Sequence, residues 1–69
     1  MPGDVGLVAA LLTKAFGFVV DPNGYQELSR ENKLKWLMRG INDALATNNL
    51  ATADGLFNEY RELYQQVGP

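Results

Sequence analysis

The chain has 69 residues, no cysteine, no histidine and a net charge of −2. Length bounds it to a single domain that buries only about 60% of its unfolded surface, so packing and association must do what disulfides or a metal do in other small proteins. The missing histidine removes the commonest zinc ligand and the commonest acid–base group near neutral pH, and the interspersed charges exclude the basic footprint of a nucleic-acid binder.

The stretch Val5 to Val20 carries one charge, Lys14. It is long for a strand and ordinary for a helix, so a helix is expected over about 5–20, with Asp4 as its N-cap. The lead Met1-Pro2-Gly3-Asp4 is acidic rather than basic, and Phe18 to Pro22 offers no small-residue cleavage site, so a secretory signal is not expected. Gly6, Ala10, Thr13 and Gly17 fall within roughly 60° of one another on a helical wheel. Such a stripe lets a second helix come close, or else is the solvent-facing side of an otherwise apolar helix. With Phe16 and Phe18 at its end, it is the first candidate interaction surface. At about 24 Å the helix is shorter than the roughly 30 Å of a bilayer core, and Lys14 would cost about 3 kcal/mol there. A membrane anchor is therefore an alternative that is not favoured.

Asp21-Pro22-Asn23-Gly24 is the strongest break, and 21–28 is expected as a turn. Asp21 with Pro22 can also cap a short helical turn through Leu28. A calcium loop is not expected, because Tyr25 and Asn32 stand where further oxygen ligands are required. Ser29 caps a second helix, about 30–47, whose seam is Leu34, Leu37, Met38, Ile41, Ala44 and Leu45. Trp36 lies roughly 140° from that seam, near Gly40. The expectation is that the first helix covers Trp36, with Gly40 making room; otherwise Trp36 anchors a partner. Arg30, Lys33, Lys35 and Arg39 spread over both flanks and read as a solvated surface.

Thr47-Asn48-Asn49 is a polar turn into a third helix, about 50–67, stopped by Gly68-Pro69. Leu50, Ala53, Leu56, Phe57, Tyr60, Leu63, Tyr64 and Val67 cover roughly 140° of it, enough for two neighbours. Gly55 falls on the opposite side. The short connection makes an antiparallel hairpin. Ala44-Leu45, Asn48-Asn49-Leu50, Ala53 and Phe57 resemble the turn and second helix of a tetratricopeptide repeat, over about half of one motif. The motif does not recur, and such repeats stack in about three copies for stability.

The expected fold is all-α, a three-helix arrangement with the N-terminal apolar helix on the hairpin. Without histidine or cysteine, only lysine or a carboxylate could activate a hydroxyl, and Glu59 and Glu62 read as a solvated face. No catalytic activity, cofactor, metal or small-molecule substrate is expected. The function expected is association with itself or a larger assembly, as a minor viral or accessory component, in the cytoplasm or within the assembly. The candidate interaction residues are Gly6, Ala10, Thr13, Gly17, Phe16, Phe18, Trp36 and Gly40. The alternatives are a membrane-surface protein anchored by the first helix, and an inhibitor or adaptor using the acidic outer face of the third.

Overall fold

The computed structural model describes residues 5–66. Within them every regular element is a helix: α1 Val5–Phe16, α2 Pro22–Glu27, α3 Arg30–Ala46 and α4 Leu50–Gln65. The expected caps at Asp4 and Gly68-Pro69, and the seam residue Val67, lie outside the described residues.

The first helix stops short of the expected Val20 for a local reason. Gly17 has φ +83°, the left-handed conformation that ends helices and that a side chain makes costly. Its N–H reaches the Thr13 carbonyl at 2.9 Å. The Thr13 hydroxyl then pins the reversal, donating to the Ala9 carbonyl at 2.8 Å and accepting the Val20 N–H at 2.9 Å. Val20 is thereby buried, while Val19 faces outward.

The segment 21–28 contains a short helix. The Asp21 carboxylate accepts the Gly24 N–H at 2.9 Å. Pro22 fits the first turn, where a missing N–H costs nothing. This helix buries Tyr25. Burial pushes the Tyr25 phenol up to about 12, and the Glu59 charge adds to the effect.

The hairpin is closed by side-chain caps. The Ser29 hydroxyl accepts the Asn32 N–H at 3.1 Å at the start of α3. At its end Asn48 takes φ 59°, Asn48 N–H bonds the Leu45 carbonyl at 3.0 Å, and Asn49 N–H bonds the Ala44 carbonyl at 2.8 Å. That is a Schellman closure with asparagine in the left-handed position. Asn49 in turn caps α4. The Arg30 guanidinium donates to the Tyr64 carbonyl at 2.8 Å, tying the start of α3 to the end of α4, so the two helices run antiparallel.

The core gathers Val8, Ala9, Leu12 and Ala15 from α1, Leu37, Ile41 and Ala44 from α3, and Ala53 and Leu56 from α4. Leu12, Leu37 and Leu56 are fully buried. Two glycines set the approach of α1. A Cβ at Gly40 would stand 2.8 Å from Leu12 Cδ2 and 2.9 Å from Leu56 Cδ1. A Cβ at Gly55 would stand 2.9 Å from Leu11 Cδ1. Gly55 is therefore not on an outer side, as its wheel position implied, but where α1 crosses α4. The radius of gyration is 11.2 Å, against about 11 Å for a folded chain of this length.

Candidate interaction surfaces

The small-residue stripe faces away from the core. Gly6, Ala10 and Gly17 are exposed and Thr13 is half-buried, whereas the opposite face of α1 fills the interior. A Cβ at Gly17 would meet nothing within 4 Å. Thr13 and Gly17 carry out the chain reversal described above, and Gly40 is occupied by the contact of three helices. Of the eight residues expected at an interface, the structure brings together Phe16, Phe18 and Trp36.

Their meeting follows from the end of α1. After Gly17 the chain turns, and Phe18 stacks on Phe16 with centroids 5.2 Å apart and planes at 18°. Phe16 meets Trp36 edge to face at 5.8 Å and 73°. Both geometries are favourable for aromatic pairs. The Arg39 guanidinium lies 5.6 Å from the Phe16 centroid, within cation–π range. Trp36 is not covered as expected: it remains 37% exposed. Helix α1 ends at Phe16, which reaches it edge-on, and the space over Gly40 is taken by Leu12 and Leu56. Phe16, Phe18, Asn32, Lys35, Trp36 and Arg39 line an open groove of about 290 Å3. The other two cations of α3 turn elsewhere, Arg30 to Tyr64 and Lys33 to a position 5.6 Å from the Tyr25 centroid.

A second surface was hidden in the expected seams. Met38, Leu45, Leu50, Phe57 and Tyr64 are between 41% and 62% exposed. On the wheels of α3 and α4 they lie roughly 80–120° from Leu37 and Leu56. In each helix that is the side away from the glycine that receives α1. In an antiparallel pair residues about equally far from the Thr47–Asn49 turn lie near one level, which sets Leu45 close to the level of Leu50 and Met38 close to that of Phe57. Tyr64 continues the row, stacked on Tyr60 at 6.1 Å. From Leu50 to Tyr64 the strip runs about 21 Å at 1.5 Å per residue. Its exposed part amounts to roughly 500 Å2, within the range of the largest apolar patch on an ordinary monomer, which is often functional. The wide apolar face of α4 does meet two neighbours, α3 and α1. Because α1 lies on the Gly55 side, Leu50, Phe57 and Tyr64 are left bare.

Among the described residues no three carboxylates converge, and no helix is long and apolar enough to cross a membrane. No protein family, curated protein or solved structure matches the chain. The tetratricopeptide likeness of the hairpin therefore assigns no family.

Proposed function

We propose that this protein acts by association rather than catalysis. The acting unit is α1 seated on one face of the α3–α4 hairpin, and the opposite hairpin face docks on a second copy or on a larger assembly. The observation that carries this reading is the strip of Met38, Leu45, Leu50, Phe57 and Tyr64. The core is complete without these side chains, with Leu12, Leu37 and Leu56 fully enclosed. Covering roughly 500 Å2 on each of two copies removes about 1,000 Å2 in all, the lower end of the size range of specific interfaces.

Charge favours a second copy as one occupant. Wheel positions put Glu31 beside the strip on α3 and Arg61 on the outer rim of α4. A two-fold axis parallel to the hairpin lays α3 over the partner's α4, with Glu31 near the level of the partner's Arg61. Small size suits a minor component of a larger particle, viral or otherwise, or an accessory factor, in the cytoplasm or within the assembly. The test is the oligomeric state of the purified protein. A dimer or larger species that the charge in Phe57→Glu converts to a folded monomer supports the proposal. A parent protein that stays monomeric at high concentration removes self-association.

A further inference from the structure

We propose that the groove at the aromatic corner is a docking site for a short partner segment in which an apolar or aromatic side chain stands beside carboxylates. The inference rests on the association reading only in that a partner exists; the groove lies on the other side of α3 from the apolar strip. Its floor is Phe16, Phe18 and Trp36, and its polar margin is Asn32, Lys35 and Arg39. The margin residues and Trp36 sit at i, i+3, i+4 and i+7 on α3, so one helical face supplies the anchor ring and both cations.

The lining contains no acidic residue, although the protein carries a net charge of −2. Arg39 is held over the Phe16 ring. A guanidinium placed over a ring can still offer N–H groups to a carboxylate. Tryptophan and arginine, with tyrosine, are enriched among the hot spots of protein interfaces. The apolar floor takes the partner's side chain, and the two cations select a carboxylate neighbour over an amide. Two cations are few for a nucleic acid, whose binding rests on many phosphate contacts.

Trp36 is the only tryptophan in the chain, so its fluorescence reports occupancy directly. The probes are the blocked peptide Leu-Asp-Glu-Phe and its amide counterpart Leu-Asn-Gln-Phe, titrated into the parent protein and into Phe57→Glu. The acidic peptide should give a saturable change, with affinity about five-fold or more above the amide form. Lys35→Gln and Arg39→Gln, both at exposed positions, should each weaken it about two- to five-fold at unchanged helicity, and added salt should weaken it further. Equal binding of the two peptides, no binding of either, or saturation by a short oligouridylate in place of the acidic peptide would each overturn the proposal. A peptide that binds monomeric Phe57→Glu supports the groove even if the parent never self-associates.

Discussion

Gly40 and Gly55 look alike in the sequence, each a glycine inside a helix, and what stands opposite separates them. Replacing either by alanine should gain about 1 kcal/mol of helix propensity. At Gly40 the new methyl group meets the tips of Leu12 and Leu56, both fully buried with nowhere to turn. Overpacking of that kind costs about 1–3 kcal/mol. At Gly55 it meets Leu11, which is half-buried and can swing aside. Thermal melts should therefore show Gly40→Ala less stable than the parent and Gly55→Ala unchanged or slightly more stable. Each kcal/mol corresponds to about 4–8 °C in a domain of this size. Gly17 is a third case: it has open space but a positive φ, so any side chain there costs about 1 kcal/mol or more in backbone strain. A bulky residue at Gly17 is for that reason an unsound probe of the small-residue stripe, whereas Gly6→Leu, at an exposed helical position, should leave stability unchanged or raise it by up to about 1 kcal/mol.

Tyr25 gives the residue scale a pH dependence. Its folded-state value of about 12 stands above the ordinary 10.0 because burial disfavours the phenolate. The contribution to stability is complete below pH 10 and is lost as the pH rises through 12. Denaturant unfolding across that alkaline range should show the loss, about 3 kcal/mol at most. Tyr25→Phe should show less of it.

At the scale of elements, the helices were legible because their caps are side chains: Asp21, Ser29 and Asn49 each accept the backbone N–H three residues on. The end of α1 was legible in principle, since Gly17 precedes two β-branched residues and an Asp-Pro pair. The apolar run overrode that signal in a reading by length. The Thr13 hydroxyl is what holds the reversal. Thr13→Val, which keeps the shape but leaves the Val20 N–H without its acceptor, should cost about 1–2 kcal/mol in thermal or denaturant unfolding. The position of α1 on the hairpin was harder to read. A helical wheel gives the width of an apolar face but not the side on which a third helix lies. The physical discriminator is close approach. Gly40 and Gly55 let α1 settle at close range on their side of the hairpin. The aromatic corner was legible only as three separate rings, because their meeting depends on the turn after Phe16.

For the whole molecule, the consequence is a complete small core with a bare apolar strip on one side and a cation-edged aromatic groove on the other. A domain this small is marginal on burial alone. The strip holds apolar surface that association could still bury to stabilise it. That coupling predicts that stability rises with protein concentration, because association favours the folded state. It also predicts that a charge placed in the strip lowers apparent stability chiefly by removing association rather than by damaging the core.

Sedimentation equilibrium of the parent beside Phe57→Glu, with circular dichroism on the same samples, tests this most directly. The account predicts a parent that self-associates and a variant that is monomeric and equally helical. A parent that sediments as a folded monomer across the whole concentration range, with a stability independent of concentration, would contradict it.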